Sequence, residues 1–259
     1  MKALITGASS GFGWDMAHIL SDMGYDIIAV ARRRELLEKL KSELKTNVEI
    51  VCCDITDRTS CEELAKRAGE VDILINNAGF GVFGSFCETD LDKELTMIDT
   101  NVKALHIMTK LFLPEFKKRN SGYIMNVASL ASFFPGPLFA AYYATKSYVL
   151  RLTQSIQEEL RRDKFNVKIC ALCPGPAHTG FADAAKVNFG TGSEGGIASK
   201  VVLTSRAVSE YAIKKMFKNK TVIVPGFIMR CAVFARHLLS DKLLAKAVYT
   251  VQSKKMVIK

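Results

Sequence analysis

Short apolar runs alternate along the chain with longer segments in which apolar residues recur every three to four positions. The short runs at residues 2–6, 26–31, 48–53, 71–75, 123–128 and 167–172 predict strands. The periodic segments at 11–23, 33–45, 60–68, 91–118 and 142–163 predict helices. The strands are rich in Ile, Val, Leu and Ala and do not alternate with polar residues, so both of their faces should be buried. That implies a parallel sheet covered by helices on both sides. Regular alternation of strand and helix makes the expected architecture a doubly wound α/β domain with right-handed crossovers.

Beyond residue 173 the period fades. Residues 174–200 are rich in Gly, Ala, Ser and Thr, and a loop of that length in a compact domain is usually functional or disordered. A helix is predicted at 204–217, a last strand at 221–224 and a basic helical extension over 229–259. No repeat or linker divides the chain, so a single domain is expected.

Composition changes this picture little. The 259 residues are 49% hydrophobic and 24% charged, which excludes disorder as the main state. Seven cysteines in a chain of this length form no disulfide scaffold, and the odd count suits a reducing, cytoplasmic setting. No secretory signal is expected, because Met1-Lys2 runs directly into a strand and a Gly-rich turn. The long uncharged stretch at 120–145 is broken by Asn126, Ser129, Pro135, Gly136 and Pro137, so it is not expected to cross a membrane.

Charge is more informative. The net charge is +10, but residues 1–199 carry 23 Lys+Arg against 24 Asp+Glu. Residues 200–259 carry 13 against 2, a net of +11. The whole excess therefore sits in the C-terminal segment, where it serves solubility, an anionic substrate handle or an acidic membrane surface. No nucleic-acid reading motif accompanies it. The apolar residues within that segment, from Phe227 to Leu239, suggest a face packed over a pocket or a partner.

Candidate chemistry begins at Thr6-Gly7-Ala8-Ser9-Ser10-Gly11-Phe12-Gly13, between the first strand and the first helix. Glycines allow positive φ and close approach of the backbone, and a helix N-terminus offers free N–H groups to a phosphate. An ordinary Gly-rich turn is the competing reading; the strand-turn-helix context favours phosphate binding. Tyr142 and Lys146 stand four apart, on one face of a helix. An ammonium beside a phenol stabilises phenolate and is expected to lower the tyrosine pKa toward the operating range. Ser129, at the end of the preceding strand, can hydrogen-bond the same substrate oxygen. Tyr143 is three residues from Lys146 and competes for the role.

Together these motifs resemble the short-chain dehydrogenases/reductases. The resemblance covers about residues 2–225 and rests on Thr6–Gly13, Asp54, Asn76-Asn77-Ala78-Gly79, Asn101, Ser129, Tyr142-x-x-x-Lys146 and Pro174-Gly175 with Thr179, in order. It implies a Rossmann-like fold and a catalytic set of Asn101, Ser129, Tyr142 and Lys146. Tyr142 is the proton donor or acceptor, and Lys146 also reaches the nicotinamide ribose. Asn101 holds a water in a proton relay to the lysine. It implies cofactor contacts from Gly7, Ser9, Ser10, Gly11, Phe12 and Gly13 at the phosphates. Asp54 and Ile55 lie at the adenine, Asn77, Ala78 and Gly79 beside the adenosine ribose, and Pro174, Gly175 and Thr179 near the nicotinamide.

The second strand ends at Ala31, followed by Arg32, Arg33 and Arg34, with no carboxylate before Glu35. A carboxylate there would bind a ribose 2′-OH, whereas a guanidinium binds a 2′-phosphate. NADP(H) is therefore the expected cofactor, with Arg32 as main ligand and Arg33 as helper. No metal site is expected, since no second Cys/His pair completes four ligands. Cys170-x-x-Cys173 lies in or just after a strand and reads as buried thiols. Of the four histidines only His178, in the substrate loop, is a candidate for touching ligand.

The resemblance places the substrate against Phe80, Val82, Leu130, Phe133, Phe134, Pro135, Tyr143, Pro176, Phe181 and Phe189, an apolar set without fixed charge. A hydrophobic ketone, aldehyde or secondary alcohol fits, including 3-oxoacyl and hydroxysteroid types. A non-catalytic NADP(H)-binding sensor or scaffold on the same fold is the alternative. A homodimer is expected through the helices at 91–118 and 142–163. Their surplus apolar residues are Leu95, Ile98, Ile107 and Leu111 on the first, and Val149, Leu152 and Ile156 on the second.

Overall fold

A computed structural model describes residues 1–178 and 202–253. Seven parallel strands form one sheet in the order β3-β2-β1-β4-β5-β6-β9. They are β1 (Lys2–Thr6), β2 (Asp26–Ala31), β3 (Val48–Cys52), β4 (Ile73–Asn76), β5 (Tyr123–Val127), β6 (Lys168–Leu172) and β9 (Val222–Ile223). The order reverses between β1 and β4, and in such sheets ligands bind outside the strand ends at that reversal.

Alternate residues of each strand enter opposite layers, as the two-residue period requires. Ala3, Ile5, Ile27, Ala29, Ile73 and Ile75 pack on one side, with α1 (Gly11–Asp22), α2 (Arg34–Glu43) and α7 (Ser205–Met216). Leu4, Ile28, Val30 and Leu74 pack on the other, with α3 (Arg58–Ala68), α5 (Leu105–Arg119) and α6 (Ala140–Arg162). These strand residues are at most 1% exposed, which is why the strands show no polar alternation.

The helix expected at 91–118 is interrupted. It runs as α4 (Leu91–Ile98), a π-helical turn at Asp99–Ala104 and then α5. Such turns insert one residue into a helix and often occur at functional sites. Here the turn carries Asn101, 1% exposed, into the protein.

Residues 174–200 are not wholly loop: β7 (Ala177–His178) pairs in parallel with β8 (Leu203–Thr204). The C-terminal extension forms α8 (Phe227–Ala235), a 3₁₀ turn at Arg236–Leu238 and α9 (Asp241–Ser253). No helix among the described residues is long and apolar enough to cross a membrane.

Candidate active site

The Gly-rich turn is fixed by its neighbours. Gly7 takes φ +67° and Gly11 φ +56°, both in the left-handed region. The Asn77 side-chain amide donates to the carbonyls of Thr6 (3.0 Å) and Gly7 (3.1 Å). The Thr6 hydroxyl accepts from the backbone N–H groups of Asn77 (3.0 Å) and Ala78 (3.2 Å). A Cβ on Gly13 would stand 2.4 Å from the Gly7 carbonyl oxygen, so only glycine fits there. Ser10 caps α1 without a side-chain hydrogen bond, which leaves the first-turn N–H groups to another acceptor.

A cavity of about 1260 Å³ runs from this turn across the sheet ends to the C-terminal helices. Gly7, Ser9, Ser10, Gly11 and Phe12 line one end, with Arg32, Arg33, Asp54 and Ile55. Asn77, Ala78 and Gly79 line the middle; Ser129, Tyr142, Lys146, Pro174 and Gly175 line the far part. Gly13 is buried beneath the turn and shapes the cavity without lining it. The glycine cradle, the open helix N-terminus and the paired arginines fit a dinucleotide. Thr179, Phe181 and Phe189 lie outside the described residues.

The two arginines differ in placement. Arg33 Nη2 donates to the hydroxyls of Ser9 (2.9 Å) and Ser10 (3.3 Å), which ties the end of β2 to the Gly-rich turn. Arg32, exposed like Arg33, contributes its carbonyl to Cys52 Sγ (3.1 Å). Asp54 Oδ1 accepts from the Thr56 backbone N–H (2.9 Å) and hydroxyl (2.8 Å), which holds the carboxylate at the cavity edge.

Ser129, Tyr142 and Lys146 converge. The side chains of Ser129 and Tyr142 are hydrogen-bonded. Ser129 Oγ also accepts from Ala131 N (3.1 Å), which fixes its rotamer. Lys146 Nζ lies 5.8 Å from the Tyr142 ring centre and donates to the Val127 carbonyl (2.8 Å). Phe139 stacks on Tyr142 at 4.4 Å between ring centres.

This packing corrects the expected tyrosine pKa. Burial pushes the Tyr142 phenol above its ordinary value, and the Ser129 hydrogen bond only partly opposes it. Burial also lowers Lys146 to about 8. Desolvation of the phenolate in this buried position is the largest cause.

Asn101 is placed near the lysine, but its side chain is already engaged. Its amide donates to the Phe80 carbonyl (2.9 Å) and Thr145 Oγ1 (3.1 Å), and Oδ1 accepts from Phe80 N (3.1 Å). A Cβ on Gly79 would lie 2.7 Å from Asn101 Oδ1 and 3.3 Å from Lys146 Nζ, so Gly79 separates the two. Tyr143 turns elsewhere: its ring packs against Gly136 and its hydroxyl accepts from Gln252 Nε2 (2.8 Å).

The substrate end of the cavity keeps Phe80, Leu130, Phe134, Tyr143 and Pro176 from the expected set. Phe133, Pro135 and Val82 fall outside its lining, and Phe133 instead carries the Arg236 guanidinium over its ring. Phe139 and the C-terminal wall, including Met229, Arg236, Leu244 and Gln252, were not in the expected set. Arg236 gives the lining a fixed charge. Cys170 and Cys173 are buried, free thiols, and burial raises both, Cys173 to about 12.

Residues 1–188 match the family model for short chain dehydrogenase. The chain belongs to the short-chain dehydrogenase family. Among its relatives, the NADP-dependent 3-hydroxy acid dehydrogenase YdfG of Escherichia coli is 37% identical over 165 residues. That match covers 62% of this chain and 66% of YdfG. A short-chain dehydrogenase/reductase from Burkholderia phymatum in complex with NAD superposes with a TM-score of 0.81 at 25% identity, covering 91% of this chain and 92% of that one. One from Sphingobium yanoikuyae in complex with NADPH gives 0.79 at 26%, covering 92% and 93%. Family membership makes the chain an oxidoreductase for small molecules with a nicotinamide cofactor.

Proposed function

We propose that this short-chain dehydrogenase transfers a hydride between NADP(H) and a hydrophobic ketone, aldehyde or secondary alcohol. The convergence of Ser129, Tyr142 and Lys146 on a cavity that begins at the Gly-rich turn carries this reading. The nicotinamide, when bound, supplies or accepts the hydride at the carbonyl carbon. Tyr142 gives its proton to the carbonyl oxygen; burial raises its pKa and so opposes this transfer, and the Ser129 hydrogen bond acts in the other direction. Ser129 holds the same oxygen in line. Lys146 stabilises the phenolate left behind and reaches the nicotinamide ribose. Asn101, braced by Phe80 and Thr145, ties the π-helical turn to α6; with its amide and oxygen both engaged, the side chain is given this positioning role and not that of holding a relay water.

Phe80, Leu130, Phe134 and Phe139 offer the reacting end apolar contact. Oxidation of NADPH in the presence of apolar ketones, followed by absorbance, tests the proposal. A chain that binds NADPH and turns over no ketone or aldehyde would instead be a sensor or scaffold.

NADP(H) is favoured over NAD(H) because β2 runs directly into Arg32 and Arg33 at the adenosine end, with no carboxylate before Glu35, while the Asp54 carboxylate that also lines this end is held by Thr56. In place of Arg32, expected as the main ligand, Arg33 is given the larger share, because its guanidinium is already bridged to Ser9 and Ser10 at the Gly-rich turn. We expect kcat/KM to favour NADPH over NADH at least about tenfold, roughly 1.4 kcal/mol. Arg33→Ala should reduce that ratio more than Arg32→Ala, as read from initial rates with both cofactors. An unchanged ratio in both variants would remove the phosphate clamp.

The proposal includes a cytoplasmic setting, consistent with seven free cysteines, and a homodimer through α4, α5 and α6. Leu91, Leu95, Ile98 and Tyr148 are exposed on that side. Val149 belongs to the core, at 0% exposure, and is removed from the expected interface. Light scattering during size exclusion should give twice the chain mass; the monomer mass would refute the dimer.

A further inference from the structure

The C-terminal segment has two apolar sides, and only one of them is used. Met229, Ala232, Ala235, Leu239, Leu244, Ala247 and Val248 line the cavity. Phe227, Ile228, Phe234, Leu238, Leu243 and Tyr249 do not line it and are exposed to solvent. Phe227 is 72% exposed, Phe234 70% and Leu238 75%. No residue of α8 is buried, although Arg230 is its only charged residue. An exposed apolar surface of this kind marks an interaction with a partner or with lipid. At nine residues α8 is too short to span a bilayer.

Basic side chains accompany this surface. Arg230, Lys242 and Lys246 are exposed between residues 227 and 253, against Asp241 as the one acid there, whereas Arg236 turns to the cavity wall over Phe133. Arg230 sits over the exposed Phe227 ring at 5.7 Å. Exposed aromatic and aliphatic side chains mixed with cations mark an element that lies in the plane of a membrane interface. The charge also decides against a second copy of the chain. Three exposed cations against one acid give this surface a net positive charge, and a two-fold contact would place like charges face to face. An anionic lipid surface attracts the same charges.

We propose that α8, the following 3₁₀ turn and α9 form a docking surface for an anionic phospholipid bilayer. The segment enters the headgroup region with Phe227, Ile228, Phe234, Leu238 and Leu243, and its cations meet lipid phosphates. Its opposite side walls the cavity, so the active site adjoins the membrane when the protein is bound. This peripheral docking does not depend on which carbonyl compound is the substrate.

Flotation of the full chain with vesicles tests the proposal. The chain should float with mixed phosphatidylglycerol/phosphatidylcholine vesicles and partition far less onto pure phosphatidylcholine. Binding should weaken between about 0.1 M and 1 M salt, where the screening length falls from about 10 to 3 Å. The double variant Phe234→Ser/Leu238→Ser should lose at least about tenfold in partition, and Lys242→Glu/Lys246→Glu should lose the preference for anionic lipid. Melting temperature and NADPH binding, measured in parallel, show that these exposed substitutions leave the fold intact. Failure to float with anionic vesicles, or flotation unaffected in both variants, would overturn the proposal. So would a Phe234/Leu238 variant that changed only the oligomeric mass, since the face would then be an interface between copies. Vesicle-independent capture of an acidic protein, lost in the same variants, would equally replace lipid with a protein partner.

Discussion

Tyr142→Phe should lower kcat/KM for carbonyl reduction by about two to four orders of magnitude, the range typical of a lost general acid. The ring remains, so its stack on Phe139 at 4.4 Å should persist and the melting temperature should barely move. NADPH affinity should stay within a few-fold, because the Gly-rich turn and both arginines are untouched. Tyr143→Phe is the control, since it stands beside Tyr142 and near the same lysine. Its hydroxyl accepts from Gln252 in the wall of the cavity, so its loss should act through KM more than kcat. Steady-state kinetics of the two variants decide between them. A Tyr142→Phe enzyme as active as the parent, with activity lost instead in Tyr143→Phe, would reverse the assignment.

The distinction between the two tyrosines shows what the sequence could and could not reveal. The spacing of Tyr142 and Lys146 put them on one helix face, and the structure keeps them there. Spacing says nothing about burial, which is why the tyrosine pKa was expected to fall and instead rises. Burial at that point depends on Phe139, in the turn before α6, and on nothing periodic. The strands were legible for the opposite reason: two covered faces leave an unbroken apolar run, and the ends came within one or two residues.

Two features escaped because they arise from tertiary contact. The π-helical turn at Asp99–Ala104 leaves the apolar period of the long helix nearly intact, so the sequence read as one helix. It turns Asn101 inward, where the side chain joins Phe80 to Thr145. The cavity wall built by α8 and α9 had only a partial signal. Apolar residues in a basic segment suggested a covered face, but not that Met229 would pack on Gly175, where a Cβ would approach its sulfur to 2.9 Å. Gln252 gave no signal, yet it is 4% exposed and bonded to Tyr143. A lone Gln in a C-terminal helix has no spacing that distinguishes it from a solvated one.

The Gly-rich turn provides the second large effect. Gly13→Ala adds one methyl group at a point where it would meet the Gly7 carbonyl oxygen at 2.4 Å and the Asn77 amide nitrogen at 2.6 Å. Neither can move freely. The Gly7 carbonyl and the Asn77 amide are bonded to each other, and Asn77 also holds Thr6. Relief must come from moving α1 away from β4 or from breaking that amide bracket. Overpacking of this kind costs about 1–3 kcal/mol, which in a chain of this size lowers the melting temperature by about 2–4 °C per kcal/mol. The turn is also the proposed phosphate cradle, so NADPH affinity should fall at least about tenfold, or 1.4 kcal/mol. Gly24→Ala separates the two effects. Gly24 has φ +87° and nothing within 4 Å of a Cβ, so alanine there is strained but touches nothing near the cavity. It should lower the melting temperature and leave NADPH affinity unchanged. Thermal melts and fluorescence titration with NADPH on both variants read the result. Equal NADPH affinity in Gly13→Ala and the parent would mean that the turn does not hold the phosphates, whatever the melting temperature shows.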